Sequence, residues 1–310
     1  MLSKSTSLTV DTICYDLEDS VTPSKKASAR SALTSFLSQN RPKDISEISV
    51  RINDVASGLA LADLQEVLKA PNLDALVVPK VSSAADLHFV TDVVRHMLPE
   101  RHSSSLVAGG EGQGQEEERG KGPLKILALI ESAKALMDLN AICAASPYLS
   151  GLIFAAEDFA LDLSLTRTPS LTEFLYARSA ICIAARAFNL PSTIDLVCTS
   201  YKGSDGLKTL EEECIGGRGL GFNGKQCIHP SQVEVVQRAF TPDEKEVEWA
   251  MRVCIADEKA AASGRGAWTL DGKMIDAPVS GKAKTVVSKA ERCGFDVNAI
   301  RDKWKDQEPE

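Results

Sequence analysis

The 310 residues carry 44% hydrophobic and 25% charged side chains, the proportions of an ordinary globular chain with a sizeable core, which excludes collagen-like, mucin-like and coiled-coil architectures. Lys and Arg number 35 against 43 Asp and Glu, a net charge of −8 with no basic stripe, so nucleic acid is not an expected partner. Apolar runs such as 126–130 and 152–156 fall far short of the roughly 20 residues needed to cross a bilayer, so a soluble chain with no membrane partner is expected.

The length suits either two domains of about 150 residues or one α/β barrel of about 250 with appendages. Eight Cys, at 14, 143, 182, 198, 214, 227, 254 and 293, form no C-x-x-C pair and have no His at zinc-ligand spacing. Several fall in apolar stretches, where free Cys acts as a small hydrophobe, so a reducing compartment is expected. The opening MLSKSTSLTV has neither a signal-peptide apolar core nor the Arg content of a transit peptide. The expected location is intracellular, in cytoplasm or mitochondrion.

Strand-length apolar stretches recur, each followed by helical periodicity, which is the alternation of a parallel sheet. Seven strands are predicted, at 12–17, 47–52, 75–79, 124–130, 151–156, 193–198 and 222–228. Most are continuously apolar, as strands buried on both faces must be. Between the third and fourth, 101–122 is rich in Ser, Gly and Glu and predicts a disordered surface insertion. The clearest helix covers 171–188, where Leu171, Phe174, Leu175, Ile181, Cys182, Ala185 and Phe188 repeat at three- and four-residue steps. After the seventh strand, 242–262 predicts a long helix with Pro242 in its first turn, Glu244 and Glu246 at the positive dipole end, and Gly264 and Gly266 as its stop. WTLDGKMIDAPV then leaves the βα rhythm for a strand and turn, and an amphipathic helix is predicted from 281 to about 293. The expected division is a barrel over 1–240 and a C-terminal extension over 241–310.

Parallel α/β folds bind ligands at the carboxyl ends of their strands. The residues that follow the predicted strands are charged: Asp16, Glu18, Asp19, Arg51, Lys80, Glu131, Glu157 and Asp158. Glu131 and Asp158 close consecutive predicted strands, which lie about 4.8 Å apart, so the two carboxylates are placed to share a hard cation. Mg²⁺ is typically held by one or two carboxylates, its other positions going to water or substrate. For each acid alone, a first-turn or N-cap role is the alternative. Arg51 either clamps a substrate carboxylate bidentately or neutralises Asp16 or Glu18. Lys80, after Pro79, reads as a surface or ion-paired side chain or an anion ligand.

Gly219, Gly221 and Gly224 fit G-x-G-x-x-G, and the run to Lys225 nearly fits a phosphate loop, but Gln226 occupies the Ser/Thr position. Both motifs need a strand before and a helix after. The order is reversed here, which predicts a helix-to-strand turn. His88, His96 and His102 belong to a solvated polar face. His229 ends the predicted seventh strand, so it is either a hydrogen-bonded packing residue or part of the mouth.

Seven motifs in order, YDLEDSV with Lys25, Lys26 and Arg30 behind it, VRIN, VVPKV, LIES, FAAEDFALDL, GFNGKQCIHPSQ and DGKMID, resemble the HpcH/HpaI aldolase/citrate lyase family, in particular its citrate lyase β-subunit-like and malyl- or citramalyl-CoA lyases. The resemblance covers roughly 11–278 and implies a TIM-type (β/α)8 barrel. It implies Mg²⁺ held by Glu131 and Asp158, with Arg51 gripping the carboxylate of a 2-oxo acid such as pyruvate or glyoxylate, and with Asp16, Glu18 and Asp19 supporting the mouth. It also implies an acyl-CoA substrate beside the Ile228 and His229 backbone. Asp276 becomes the acid/base, delivered from a neighbouring subunit of a homotrimer or hexamer. The implied reaction is magnesium-dependent cleavage or formation of a 3-hydroxy-acyl-CoA, to or from acetyl- or propionyl-CoA and the oxo acid. The family's opening strand, R-S-x-L-Y-x-P-G, and its basic helix have no counterpart here, so the barrel is expected to lack its first strand and helix. Two other readings use the same residues: a class II aldolase on free 2-oxo acids, and an inactive citrate-lyase-like subunit of a biosynthetic pathway.

Overall fold

The apolar runs pair side by side in chain order. In the computed structural model, which describes residues 2–39, 41–42, 44–101 and 122–310, one parallel sheet holds β1 (Val10–Asp16), β2 (Ile45–Arg51), β3 (Ala75–Val78), β4 (Lys125–Ile130), β5 (Leu149–Phe154), β6 (Ser192–Asp195) and β7 (Gly224–Lys225). Helices follow the strands, and the sheet curls into a TIM-barrel-like half-barrel one strand short of eight, with β1 and β7 at its edges. The insertion predicted at 101–122 lies, apart from its two end residues, outside the described residues. The chain divides into two compact units, Met1–Val236 and Gln237–Glu310.

Every residue of β3 is buried, as a strand covered on both faces requires. Side chains alternate between the two faces, and laterally paired residues share a face. Arg51 pairs with Val77, Val77 with Leu127, and Leu129 with Ile153. Val77, Leu127, Leu129 and Ile153 accordingly pack into one cluster, with Ala155 and Ile194 against it. The opposite face meets the helices: Phe154 stacks edge-on against Phe159 at 5.4 Å and Phe174 at 5.7 Å.

That alternation also sends charge into the helix layer. Ile153 pairs with Ile194, so the next residue, Asp195, points the other way, and Lys225 beside it does the same. Asp195 meets Arg178 of helix Leu175–Ala187 in a buried bidentate pair, Nε to Oδ1 at 3.1 Å and Nη2 to Oδ2 at 2.6 Å. Lys225 donates to Glu213 of helix Gly203–Leu220 at 3.0 Å, and Arg167 donates to the other Glu213 oxygen at 2.7 Å. Gly217 lies over Asp195 so closely that a Cβ there would overlap the carboxylate.

Several boundaries differ from the sequence reading. β6 and β7 each end three residues early, because the backbone beyond them bonds to side chains instead of a neighbouring strand. Gln232 donates to the Cys198 carbonyl at 2.9 Å and accepts from the Ile228 and His229 N–H groups at 2.8 and 3.2 Å. The helix expected at 171–188 begins as a 3₁₀ turn, Thr172–Phe174, because Leu171 takes a left-handed φ of 52°. Helix Glu244–Ala262 starts after Pro242, its N-cap being Asp243, whose carboxylate accepts the Glu246 N–H at 2.8 Å. The helix expected from 281 starts four residues earlier, as Ala277–Arg292, because Asp276 caps it and Pro278 occupies its first turn. The glycine-rich run is the expected helix-to-strand turn, with Gly221 at φ 107° closing helix Gly203–Leu220 before β7. His88 and His96 lie exposed on helix Ala84–Met97, and His102 falls outside the described residues.

In the second unit, helices Glu244–Ala262 and Ala277–Arg292 enclose the antiparallel hairpin β8 (Trp268–Leu270) and β9 (Lys273–Ile275). Its core joins Ala250, Val253, Cys254, Ala256, Ala260, Trp268, Leu270, Ile275 and Ala283. All eight cysteines are free thiols, and among the described residues no helix is long and apolar enough to cross a membrane.

Removing one member of a buried ion pair strands the other. Asp195→Ala leaves the Arg178 guanidinium, 4% exposed, without its carboxylate. Its urea unfolding midpoint is expected to fall by the equivalent of about 3–5 kcal/mol.

Candidate active site

The register sets the first two site residues side by side. Asp16 and Arg51 are lateral partners at the ends of β1 and β2, on the same face as Val77 and Leu127. Arg51 grips Asp16 bidentately, Nε to Oδ1 and Nη2 to Oδ2, both at 2.8 Å. Its Nη1 lies 3.1 Å from Glu18 and 3.8 Å from Asp19. Of the two readings open for Arg51, the structure therefore displays neutralisation of Asp16 and Glu18. Asp16 also accepts from the Glu18 N–H at 2.8 Å, the Ser20 N–H at 3.0 Å and the Ser20 hydroxyl at 2.6 Å. Burial pushes the Asp16 carboxyl up, but Arg51 and the Ser20 donors outweigh it and hold the group well below the usual carboxylate range.

Glu18 is buried, and its carboxyl is raised by desolvation, against the pull of Lys80 and Arg51. Lys80 reaches it at 2.9 Å, and the hydrogen bond to Glu18 raises the lysine in turn. Lys80 has a left-handed φ of 50°, uncommon for a residue with a Cβ. Its backbone amide favours the ionised form of Glu131.

Glu131 follows β4 by one residue, and the alternation that turns Leu127 and Leu129 to the mouth face turns it the same way. It is buried, and its Oε2 has no hydrogen-bond partner. Burial first, and the Asp158 charge second, push its carboxyl up to about 7. Asp158 does not end a strand as the sequence suggested. β5 stops at Phe154, and Asp158 sits in the first turn of helix Ala156–Leu163, where the helix dipole favours it as well. The neighbouring Glu157 points elsewhere, to an ion pair with Arg167.

An unpartnered buried carboxylate oxygen beside a second carboxylate suits a hard cation, and Mg²⁺ is typically held by one or two protein carboxylates. Among the described residues no group of three or more His, Cys, Asp and Glu side chains is placed to hold a metal. Glu131 and Asp158 are thus the candidate pair, with the remaining positions left to water or substrate oxygens.

His229 does not end β7. It caps the 3₁₀ turn Pro230–Gln232, its Nδ1 accepting the Ser231 N–H at 3.2 Å, and its ring stacks on Tyr201 at 5.0 Å. The N–H groups of Ile228 and His229 are both taken by Gln232, so the backbone they offer a ligand is carbonyl oxygen. Asp276 belongs to the second unit. Its Oδ1 accepts the Val279 N–H at 3.2 Å as the N-cap of helix Ala277–Arg292, and the side chain is half-buried.

Sequence reasoning quoted Lys26, Asn53 and Lys225 within motifs but gave them no role, and it missed Asp63 behind the mouth and Arg178, Asp195 and Glu213 in the helix layer. A signal was present for some of them. Asp63 sits on the buried stripe Ala60, Asp63, Leu64, Val67, and Glu213 on the stripe Gly206, Leu210, Glu213, Cys214, Gly217. A charge at a core-facing helical position implies a buried partner.

The Glu131 carboxyl titrates higher in the folded chain than the usual 4.5, so the folded state binds the extra proton and loses stability as pH rises from about 4.5 to about 7. Without metal, Glu131→Gln is therefore expected to unfold later than the wild type above pH 7, by on the order of 2–3 kcal/mol, and to match it below about pH 4.5. Chemical denaturation at pH 4.5 and 8 in chelator checks both the sign and the window.

The family model for HpcH/HpaI aldolase/citrate lyase matches residues 1–230, and that for C-C bond lyase of the TIM-barrel fold matches residues 172–295. The mitochondrial citramalyl-CoA lyase of Rattus norvegicus is 33% identical over 298 residues, covering 93% of this chain and 82% of that protein. Citrate lyase subunit beta of Haemophilus influenzae is 35% identical over 294 residues, covering 94% and 92%. The crystal structure of Mycobacterium tuberculosis CitE in complex with magnesium, acetoacetate and coenzyme A superposes with a TM-score of 0.68 at 27% identity, covering 91% of each chain. With three-quarters of its length matched by one family model, and relatives of this similarity along nearly its whole length, the chain belongs to the HpcH/HpaI aldolase/citrate lyase family of magnesium-dependent carbon–carbon lyases.

Proposed function

We propose that this protein is a lyase that cleaves, or in reverse forms, the carbon–carbon bond of a 3-hydroxy-acyl-CoA with a distal carboxylate. The substrate type is citramalyl-CoA or malyl-CoA, and the products are acetyl-CoA and pyruvate or glyoxylate. The observation that carries this reading is the Glu131 carboxylate, buried just after β4 with one oxygen unpartnered and with the Asp158 carboxylate of the next helix beside it. The names of the rat citramalyl-CoA lyase and of the magnesium- and CoA-bound CitE support the substrate class.

Glu131 and Asp158 would hold the Mg²⁺, which when bound supplies Lewis-acid polarisation of the oxygen on the carbon where the bond breaks or forms. Arg51, fixed by Asp16 along its Nε–Nη2 edge and held at Nη1 by Glu18 at 3.1 Å, offers the remaining N–H of Nη1 to the oxo-acid carboxylate. The Asp19 carboxylate at 3.8 Å is exposed and easily displaced from that position. Lys80 balances Glu18, so on the β1–β2 side the substrate anion meets acids that are already paired. In cleavage the hydroxyl proton passes to solvent as the carbonyl forms, the electrons of the broken carbon–carbon bond pass to the acyl-CoA α-carbon, and the Asp276 carboxylic acid gives its proton to that carbon. In synthesis the same carboxylate removes that proton. The Asp276 oxygen not engaged by Val279 is the one free for this transfer. The thioester is assigned to the Ile228 and His229 backbone, and Asp276 to a neighbouring subunit of a trimer or hexamer.

Incubation with citramalyl-CoA and malyl-CoA in Mg²⁺, with released pyruvate and glyoxylate measured, tests the reading. Glu131→Ala is expected to abolish turnover. Arg51→Lys keeps the charge but loses the fork, and is expected to raise KM at least tenfold, about 1.4 kcal/mol. Full activity of Glu131→Ala in excess magnesium would sink the metal role, and consumption of free oxo acids and aldehydes in place of the thioesters would make the protein an aldolase.

A further inference from the structure

Behind the mouth lies a buried ammonium that makes no contact with any of the proposed reacting groups' carboxylates. Lys26 opens the helix Lys26–Leu37, and its Nζ donates to the Leu17 carbonyl at 2.7 Å, the Glu18 carbonyl at 2.7 Å and the Asn53 Oδ1 at 2.6 Å. Three acceptors meet the three N–H donors of an ammonium. Two of them are consecutive backbone carbonyls in the loop after β1, between Asp16 and Asp19.

The third acceptor ties that loop to the next strand. Asn53 stands two residues beyond Arg51, and its Nδ2 donates to the same Leu17 carbonyl at 3.0 Å and to Asp63 at 2.6 Å. Asp63, fully buried, also accepts the Asn53 N–H at 2.7 Å and the Arg30 Nε. The loop that carries Glu18 and the loop that follows Arg51 are therefore closed around one lysine, with Asp63 and Arg30 behind. Lysine suits the place because its flexible stem delivers a compact charge, which a planar guanidinium cannot copy in a socket of three converging oxygens.

We propose that Lys26 is a positioning residue: by filling this three-oxygen socket it fixes the turn after β1 and so holds Asp16 and Glu18 against Arg51, preforming the oxo-acid side of the mouth. The metal-side carboxylates lie outside the clamp, Glu131 just after β4 and Asp158 in the first turn of the helix after β5. The assignment rests on the reading of Arg51 as the ligand of the oxo-acid carboxylate, and two separate measurements keep the two apart.

Lys26→Met preserves length and removes the donors, while Lys26→Gln retains two of them. In hydrogen exchange of the substrate-free protein, peptides over 16–21 are expected to exchange at least tenfold faster in Lys26→Met, with those over β4 and β5 unchanged and Lys26→Gln intermediate. By calorimetry, pyruvate affinity in saturating Mg²⁺ is expected to fall at least tenfold while affinity for Mg²⁺ alone stays within about twofold. Unchanged exchange over 16–21 in a folded variant overturns the assignment. Uniformly faster exchange, parallel loss of Mg²⁺ and pyruvate binding, or failure of both variants to fold also overturns it, by reducing Lys26 to a stabilising residue. A wild-type protein that binds no pyruvate sinks the reading of Arg51 instead, and the exchange measurement then decides on Lys26 alone.

Discussion

The two-residue alternation along buried parallel strands decides where every charge at their carboxyl ends goes. Asp16, Arg51 and Glu131 share the face of Val77, Leu127 and Leu129 and so arrive at the mouth. Asp195 and Lys225 fall on the other face and enter the helix layer, where Arg178 and Glu213 meet them. The two groups are equally charged and equally close to strand ends. Parity separates the candidate site from the ion pairs of the helix layer, and a shift of one residue in any strand's register would exchange the two positions.

The mouth has two halves of opposite electrostatic character. On the β1–β2 side every charge is answered: Asp16 by Arg51 and Ser20, Glu18 by Lys80 and Arg51. On the β4–β5 side Glu131 is buried beside Asp158, one of its oxygens has no hydrogen-bond partner, and burial and the Asp158 charge outweigh the pull of Lys80 and raise its carboxyl to about 7. A carboxylate kept in such a place costs folding free energy that an amide or apolar side chain would not. Strain of this kind persists where a ligand relieves it, and a divalent cation relieves both the desolvation and the like-charge repulsion at once.

Much of this organisation was legible in the sequence. The alternation of apolar runs and helical periods gave seven strands, and β1 to β5 lie within two residues of their expected bounds. Reading the residues after each run found Asp16, Glu18, Arg51, Lys80 and Glu131. What the sequence did not show follows from partners distant along the chain. The early ends of β6 and β7 depend on Gln232, a buried side chain that replaces ladder bonds at Cys198, Ile228 and His229. The Arg51 fork could not be assigned because its occupant, Asp16, lies 35 residues away, and only the lateral register brings them together. Asp158 reads as a strand-end residue because an apolar run does not reveal where its last ladder bond falls.

Charged residues on apolar helical stripes are the part of the pattern a sequence reader can recover. Asp63 interrupts a face of Ala60, Leu64 and Val67, and its burial is tolerable only because Asn53 and Arg30 converge on it. Glu213 interrupts another such face, and Lys225 with Arg167 answers it. In both cases one partner lies on a loop or strand end, Asn53 after β2 and Lys225 in β7, so the interruption marks where the helix layer grips the strand ends. Asp63 stands behind Asn53, Asn53 behind Lys26, and Lys26 behind the Glu18 turn. The turn that carries Glu18 is therefore tied, through Asn53, to a helix one layer away that contributes no group to the mouth itself.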